Sequence, residues 1–326
     1  MHVLITGAAG FLGRALAQRL MPGRPLGRRA VGQLTLMDLA FERAAGAGVC
    51  QRAIDMGDAT ALRAALAERP PIDLLFHLAS VPGGTAEQHY ELARRVNLDA
   101  TQTLLEQGRQ QVVRGGAAPV FVFASSIAVF GTMPAKVDDD TPARPQLSYG
   151  AHKLVGEVLV NDFSRRGWVD GRSVRIPGVL ARPPERTGQL SAFLSDLIRE
   201  LAAGRPFTCP TSPQATTWAS SLPCVVEQLL HAARFDPALI GGERVLTLPT
   251  LRFAMAELAQ AVGRVHGTPV DDLVRWAPDA RIEALFGRFP PLRTARAQAA
   301  GFRGDADLEA LVRGALAPPE PPGQGA

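Results

Sequence analysis

The chain has 326 residues, of which 46% are hydrophobic and 20% are charged, so it is long enough for one large domain or for a domain with a smaller lobe. No apolar run approaches the roughly 18 residues that a membrane-spanning helix needs, which argues against a membrane protein. The formal net charge is only +4 and the arginines are scattered along the chain, so nucleic-acid binding is not expected either.

The strand-like segment 2–6 follows directly after Met1 and leaves no room for a secretory signal peptide, so we expect a cytoplasmic protein. Cys50, Cys209 and Cys224 are far apart and show neither CxxC nor Cys/His ligand spacing. We therefore expect reduced thiols and no metal site.

Short apolar runs alternate with helical stretches through the first half of the chain, which predicts βαβ units and an α/β fold with a doubly wound parallel sheet. The predicted strands are 2–6, 33–38, 49–54, 73–78, 119–124 and 172–177. Helices are predicted over 11–20, from 59 onward, over 86–107 and over 148–165. Pro134, Pro142 and Pro145 indicate a loop before the last of these helices.

Beyond about residue 177 the pattern changes to proline-rich segments, with helical stretches near 190–203, 222–234, 252–264 and 306–315. We interpret residues 1–177 as predominantly one domain built on the parallel sheet, and 178–317 as predominantly a smaller C-terminal α/β lobe, with the two segments free to interleave. The lobe is expected to cover the carboxyl ends of the strands, where open α/β sheets bind ligands. The Pro/Gly-rich end, residues 318–326, is predicted to be disordered.

A TGxxGxxG motif follows the first predicted strand and opens the first helix. It contains Gly7, Gly10 and Gly13, with Phe11 and Leu12 at the start of the helix. Glycines in this position allow a tight turn and a close approach to a pyrophosphate, whose charge the helix N-terminus stabilises. The motif therefore predicts a dinucleotide site, with a plain structural turn as the alternative.

Two carboxylates follow the next strands. Asp38 ends the second strand, where it is placed to accept hydrogen bonds from ribose hydroxyls and to repel a 2′-phosphate, which favours NAD over NADP. Arg43 nearby leaves NADP open. Asp58 is placed either to meet the adenine edge or to cap the helix that begins at Ala59.

The fourth predicted strand ends in His77, Leu78, Ala79 and Ser80. The backbone of the last three is expected to line the ribose and phosphates of the cofactor, whereas His77 is interpreted as a core residue. Asn97 lies within the predicted helix 86–107, where its amide is either exposed or braces the backbone beside the active site.

Tyr149 and Lys153 stand four residues apart on the predicted helix 148–165, one turn from each other on the same face. A phenol with a pKa of about 10 is a poor base near neutral pH, but a neighbouring ammonium favours the phenolate. Ser126 is placed to hydrogen-bond the substrate oxygen. Together these residue types predict hydride-transfer chemistry.

The chain as a whole resembles the extended short-chain dehydrogenase/reductase family. The residues that carry the resemblance are the glycine motif, Asp38, Asp58, 77–80, Asn97, 125–131 and 149–153. This resemblance implies a Rossmann-type fold, NAD as the cofactor, and Ser126, Tyr149 and Lys153 as the catalytic residues. It also implies that Pro177 and Val179 lie against the cofactor.

Within that family the chain is most similar to a subgroup that oxidises the C2 hydroxyl of a small sugar acid. The segments 125–131, 137–141, 145–150, 160–167 and 169–172 carry this similarity. The second lobe matches less closely, particularly over 183–191 and 216–222. Phe130 and Pro177 replace residues that are usual in the family's sugar-nucleotide epimerases, namely tyrosine and asparagine, which argues against an epimerase.

A carboxylate substrate calls for a guanidinium or several amide donors, and Arg182 is the candidate. Ser125 is expected either to bond a distal substrate hydroxyl or to cap backbone. Four further residues are predicted to line the substrate site, namely Ser80, Gln189, Ser191 and Trp218.

Two other functions remain open at this point. A sugar-nucleotide epimerase or dehydratase would use the same triad but keep its NAD tightly bound, and a non-catalytic dinucleotide-binding protein would not need the triad. The resemblance further implies a homodimer formed by the helices 86–107 and 148–165, with packing inside one chain as the alternative.

Overall fold

A seven-stranded sheet forms the centre of the protein, and helices cover both of its faces. The structure is a computed structural model that describes residues 1–182, 191–241 and 243–317. Gln189 and the predicted tail 318–326 lie outside the described residues. None of the helices within these ranges is both long and apolar enough to cross a membrane.

The strands are β1 (His2–Thr6), β2 (Pro25–Leu26), β3 (Arg29–Ala30), β4 (Gln33–Asp38), β5 (Val49–Ala53), β6 (Leu74–His77), β7 (Val120–Ser126), β8 (Asp170–Ile176), β9 (Gly178–Leu180), β10 (Phe207–Cys209), β11 (Thr216–Ser221), β12 (Val245–Thr247), β13 (Leu251–Ala254) and β14 (Val274–Trp276). The α-helices are α1 (Phe11–Arg19), α2 (Ala59–Ala67), α3 (Gly83–Gln88), α4 (Tyr90–Arg94), α5 (Ala100–Val113), α6 (Ser148–Arg165), α7 (Ala192–Ala202), α8 (Leu222–Ala232), α9 (Met255–His266), α10 (Ala280–Phe286), α11 (Ala295–Ala299) and α12 (Leu308–Leu316). A π-helical turn spans Arg95–Asp99, and 3₁₀ turns span Ile127–Phe130 and Pro237–Ile240.

The central sheet has the order β12-β8-β7-β6-β1-β4-β5, and its neighbouring strands run parallel. This arrangement confirms the doubly wound α/β fold. The six predicted strands correspond to β1, β4, β5, β6, β7 and β8, with ends that agree within two residues. The carboxyl ends of β1, β6 and β7 therefore lie side by side at one edge of the sheet.

Side chains that alternate along the strands form two hydrophobic layers. Val3, Ile5 and Phe76 point to the layer that contains α1 and α8, whereas Leu4 and Phe121 point to the layer that contains α2, α5 and α6. Strands buried on both faces are typical of parallel sheets, which explains why the strand segments are apolar almost throughout.

The second half of the chain contributes to both parts of the molecule. β12 pairs with β8 at the edge of the central sheet, and α8 packs on α1. A smaller body has its own core, in which β9, β11 and β13 make a three-stranded sheet beside α7, α9 and α12. Elements of the second half therefore lie both in the central sheet and in the smaller body.

The helix predicted over 86–107 is interrupted. α3 and α4 are separate short helices, and the π-helical turn Arg95–Asp99 connects α4 to α5. Asn97 lies in this turn with its side chain buried, where it bonds the backbone of Val81. Single π-turns within helices frequently mark functional sites.

His77 is buried in the core, as expected. Its Nδ1 lies 2.7 Å from the Thr6 hydroxyl and its Nε2 lies 2.8 Å from the Thr101 hydroxyl, so the ring links β1, β6 and α5. Burial, together with the positive charge of Lys153, lowers the pKa of His77 to about 3. The imidazole is therefore neutral throughout the ordinary pH range.

We expect the wild-type protein to lose stability faster than a His77→Asn variant as the pH falls from 7 to 5. In the unfolded chain His77 has its usual pKa of 6.5 and binds a proton over this interval, whereas the folded protein, with a pKa of about 3, does not. The unfolded state binds more protons, so stability must fall with pH, by about 2 kcal/mol from this one group at pH 5. Urea unfolding of both proteins at the two pH values measures the difference. Equal pH slopes in the two proteins would contradict the assignment.

Candidate active site

The glycine motif forms a tight turn between β1 and α1. Gly7 has φ +69°, and a Cβ at this position would lie 2.7 Å from the backbone nitrogen of Ala79 at the end of β6. A Cβ at Gly13 would overlap the carbonyl oxygen of Gly7. The two glycines thus let the turn pack against the neighbouring strand end and against α1.

The N-terminus of α1 has the features of an anion site. Its N-cap is Gly10, which has no side-chain cap hydrogen bond, and the first turn contains no acidic residue. The free N–H groups and the positive end of the helix dipole are therefore available to a pyrophosphate. Phe11 and Leu12 begin the helix as partly buried side chains that pack against the core.

Asp38 ends β4 beside this turn. Its Oδ2 accepts a 2.8 Å hydrogen bond from the Ala9 N–H, and its Oδ1 accepts a 2.7 Å bond from the Leu39 N–H. The carboxylate therefore fixes the turn, and each oxygen has a further lone pair for a ribose hydroxyl. Together with the tight glycine packing and the open helix terminus, this position fits a bound NAD.

Asp58 and Asn97 have structural partners. The Asp58 carboxylate caps α2 by accepting from the N–H groups of Thr60 and Ala61, so the capping alternative is what the structure shows. The Asn97 amide bonds both the N–H and the C=O of Val81, at 2.7 and 3.0 Å. Asn97 thus holds the chain that follows Leu78, Ala79 and Ser80 at the end of β6.

The three predicted catalytic residues come together at the carboxyl ends of the strands. Tyr149 lies in the first turn of α6, and its phenol is near enough to Ser126 and Ser80 for both side chains to lower its pKa. The Lys153 ammonium is buried and lies 5.5 Å from the centroid of the Tyr149 ring and 5.0 Å from that of Phe123. The hydroxyl groups of Tyr149, Ser126 and Ser80 thus lie on one side of the site, and the Lys153 ammonium lies beside the Tyr149 ring.

The charge states in this cluster are set mainly by burial. Burial raises the pKa of Tyr149, while the hydrogen bond from Ser126, the charge of Arg182 and the hydrogen bond from Ser80 act in the opposite direction. Burial lowers the pKa of Lys153 to about 7, although the charge of Glu157 raises it. The YxxxK spacing predicted only a lowering of the tyrosine pKa by lysine, whereas desolvation is the largest effect in the structure.

Glu157 and Arg175 are residues of the site that the sequence analysis did not identify. Arg175 donates two hydrogen bonds to Glu157, of 2.9 and 2.8 Å, and the Ser125 hydroxyl donates a third of 2.5 Å. The spacing of Glu157 four residues after Lys153 on α6 was a usable signal. The position of Arg175 opposite Ser125 in the sheet register was not visible in the sequence.

Two predicted substrate contacts need correction. Ser125 is only 2% exposed and its hydroxyl is directed to Glu157, so it is not placed to bond a substrate hydroxyl. Trp218 is 1% exposed, packs against Phe130 and Phe289, and donates its indole N–H to the carbonyl of Pro290. Because indole has a single donor and no acceptor, Trp218 has no polar group left for a substrate.

The other predicted contacts lie where the sheet meets the smaller body. Pro177 and Val179 are buried on either side of the change from β8 to β9, so only their backbone is placed to meet a cofactor. Arg182 follows β9, and its backbone is held by the hydroxyl of Ser195 and the side chain of Arg199. Ser191 precedes α7 and makes no side-chain cap bond. Gln189 is outside the described residues.

Relatives match this chain from end to end. A D-erythronate dehydrogenase from Cupriavidus necator is 39% identical over 323 residues, which is 96% of this chain and 97% of that protein. A D-erythronate dehydrogenase from Haemophilus influenzae is 30% identical over 317 residues, 96% of this chain and 98% of that protein.

Solved structures give the same result for the fold. A nucleoside-diphosphate-sugar epimerase from Agrobacterium tumefaciens superposes with a TM-score of 0.87 and 33% identity, covering 96% of this chain and 92% of that one. A GalE-like L-threonine dehydrogenase from Cupriavidus necator superposes with a TM-score of 0.82 at 24% identity, over 97% and 99% of the two chains, and is a likeness of fold.

The model of the NAD-dependent epimerase/dehydratase family matches residues 3–218, which include the glycine motif, Asp38, Ser126, Tyr149 and Lys153. The chain therefore belongs to this family of enzymes, and NAD is its cofactor.

Proposed function

We propose that this protein is an NAD-dependent dehydrogenase that oxidises the C2 hydroxyl of D-erythronate to give 2-dehydro-D-erythronate. The observation that carries the proposal is the end-to-end similarity to a protein named for this activity, in a chain that retains Ser126, Tyr149 and Lys153. The convergence of Ser126 and Ser80 on the Tyr149 phenol supports it, because a substrate hydroxyl at this point would meet both hydrogen-bonding partners and a base.

Tyr149 is the proposed base. When bound, NAD supplies the acceptor for the hydride that leaves C2. The proton of the substrate hydroxyl passes to the Tyr149 oxygen, and the C2–O bond becomes a carbonyl. Because burial raises the pKa of Tyr149, the phenolate needs stabilisation, which Ser126, Ser80 and the charge of Arg182 provide.

Lys153 is the proposed source of positive charge beside this base. Its ammonium lies under the ring of Tyr149 and favours the phenolate. It can act in this way only while protonated, and burial has brought its pKa down to about 7. Ser126 has a different role, since its hydroxyl is placed to stabilise the substrate oxygen as the charge on that oxygen changes.

Arg182 is the proposed ligand of the substrate carboxylate. Its charge acts on the Tyr149 phenol, so the guanidinium belongs to the electrostatic surroundings of the reacting atoms. Its backbone is fixed at two points, by Ser195 and Arg199. A guanidinium can bind a carboxylate through two parallel hydrogen bonds, which would orient the acid as well as hold it.

A sugar-nucleotide epimerase is the second candidate, favoured by the similarity to the Agrobacterium structure. Phe130 argues against it, because the ring is buried against Trp218 and lies under Arg175, and it offers no hydroxyl. Pro177 has neither a side-chain donor nor an acceptor. An epimerase would retain its NAD, so release of NADH in solution separates the two functions.

We also propose a homodimer formed by α5 and α6. Val155 and Val158 on α6 are 45% and 62% exposed, which is unusual for valines on a helix whose other face is core. A second copy that packs against the same helices would bury both side chains.

The purified protein is expected to form NADH from NAD and D-erythronate. The Tyr149→Phe variant should have a kcat lower by about 10²- to 10⁴-fold, because it lacks the proton acceptor. Its affinity for NAD should be unchanged. Tyr90→Phe is the control, since Tyr90 is the other tyrosine of the chain and is half exposed. Steady-state absorbance of NADH and calorimetric titration of NAD give the two quantities. Wild-type turnover by Tyr149→Phe would contradict the role of the base, and turnover of nucleotide sugars alone would favour the epimerase.

Arg182→Met is expected to raise the KM for D-erythronate by about 10- to 100-fold, because it removes charge-assisted hydrogen bonds to the carboxylate. The effect should be much smaller for erythritol, which has the hydroxyls but no carboxylate. Arg281→Met, at an exposed position of α10, should leave both parameters unchanged. Equal losses for the acid and the polyol would show that Arg182 does not bind the carboxylate.

Val158→Glu is expected to convert the dimer to a monomer, because it places a carboxylate in an apolar interface. Leu239→Glu is the matched control, since Leu239 is 57% exposed and the 3₁₀ turn that carries it lies beside α11 in the opposite helical layer. Sedimentation velocity of the two variants and the wild type measures the change. A wild-type monomer, or a dimer that tolerates Val158→Glu, would contradict the proposed interface.

A further inference from the structure

A buried ionic cluster lies one helical turn beyond the catalytic lysine. Glu157 is 3% exposed and accepts three hydrogen bonds, two from the Arg175 guanidinium and one from the Ser125 hydroxyl. The salt bridge has an oxygen-nitrogen distance of 2.8 Å, and the Arg175 side chain is 13% exposed. None of these groups takes part in the proposed reaction. A buried ion pair often adds little to the stability of a protein, so stability by itself does not explain the cluster.

The cluster joins the three elements that form the active site. Ser125 is the penultimate residue of β7, directly before Ser126, and Arg175 is its partner in β8. Glu157 lies on the face of α6 that also carries Tyr149 and Lys153. Each hydrogen bond therefore ties α6 to one of the strand ends. Loss of the cluster would allow α6 to shift relative to Ser126.

The cluster also determines the charge that Lys153 experiences. The charged and titratable groups around Lys153 are Glu157 and His152 on its own helix, Tyr149 one turn before it, His77 on β6 and Arg175 on β8. Burial keeps the two histidines neutral near pH 7. Glu157 is thus the negative charge that favours the ammonium, and the salt bridge from Arg175 partly neutralises that charge.

We propose that Glu157, Arg175 and Ser125 form a positioning cluster that fixes α6 against the strand ends and sets the protonation of the catalytic Lys153. The proposal rests on the proposed function of Lys153. Arg175 occupies both carboxylate oxygens of Glu157, so the carboxylate influences Lys153 without capturing it, and the ammonium remains directed toward the ring of Tyr149.

The composition of the chain allows a direct measurement. Lys136 and Lys153 are the only two lysines in the sequence. Every other residue counted as lysine or arginine is an arginine. In protein labelled with ¹³C-lysine, Lys136→Arg leaves the Lys153 side chain as the single labelled signal. Its chemical shift against pH reports the protonation of Lys153 with no substrate present.

Two single variants in this background have opposite expected effects, and the double variant is the control. Glu157→Gln should lower the Lys153 pKa by about one unit or more, because the favourable charge is lost and Arg175 is left uncompensated. Arg175→Met should raise it by a similar amount. The double variant leaves no unpaired buried charge, so it should titrate close to the parent and provides a folded comparison if a single variant is unstable. A Lys153 pKa that is the same in the parent and in the folded variants would overturn the electrostatic part of the proposal.

Ser125→Ala tests the positioning part through kinetics. It removes one hydrogen bond and no charge, so we expect kcat to fall about tenfold with KM for D-erythronate unchanged within about twofold, since Ser126 and α6 lose alignment but no substrate contact is lost. A selective rise in KM would overturn the proposal by making Ser125 a substrate ligand. If the wild type oxidises no sugar acid but the lysine titrations shift as expected, the proposed substrate fails and the cluster stands.

Discussion

The close approach of α6 to the sheet is the constraint on which the active site depends. A Cβ at Gly156 would overlap the ring of Phe123, and a Cβ at Gly150 would overlap the carbonyl oxygen of Ala128. Glycine within a helix costs about 0.5 to 1 kcal/mol relative to alanine. Both glycines therefore lower the stability of α6 but allow it to approach the sheet and the turn that follows β7. The gain is that Tyr149 and Lys153 reach the strand ends directly.

The cofactor side of the site also depends on glycines that allow close packing. The turn after β1 reaches the end of β6 only because Gly7 has no side chain, and α1 reaches that turn only because Gly13 has none. Both approaches bring backbone rather than side chains to the carboxyl edge of the sheet. Side chains that perform chemistry, such as Ser126 and Tyr149, therefore extend into a site whose walls are already fixed.

Local sequence signals were sufficient for the elements that carry the chemistry. The alternation of apolar strands and helices predicted the parallel sheet, and the predicted helix 148–165 coincides with α6. These signals are local because turns, helix periodicity and strand length depend on neighbouring residues. The π-helical turn at Arg95–Asp99 was missed, because the hydrogen bonds of Asn97 to the backbone of Val81 do not follow from helix periodicity.

Contacts between distant parts of the chain could not be predicted in this way. The prolines indicated a loop before α6, but not that Val137 pairs with Leu292 or that the Arg296 N–H donates to Asp139. The same limitation explains the corrections at Ser125 and Trp218. Serine and tryptophan near a predicted site look like ligands in a sequence, and only the register of β7 with β8 shows that Arg175 brings a buried carboxylate to Ser125.

Lys153 is a cation whose charge depends on its surroundings. The chain uses arginine for nearly all of its cationic positions, including Arg175 in the adjoining cluster. A guanidinium stays charged when buried, whereas burial brings the pKa of Lys153 to about 7. Burial shifts the pKa of Tyr149 upward, so the pKa values of the ammonium and the phenol move apart, and Lys153 is the group of the two that titrates near neutral pH. The charge beside the phenol therefore depends on pH through Lys153, and Glu157 acts on the reaction by favouring the protonated form of that lysine.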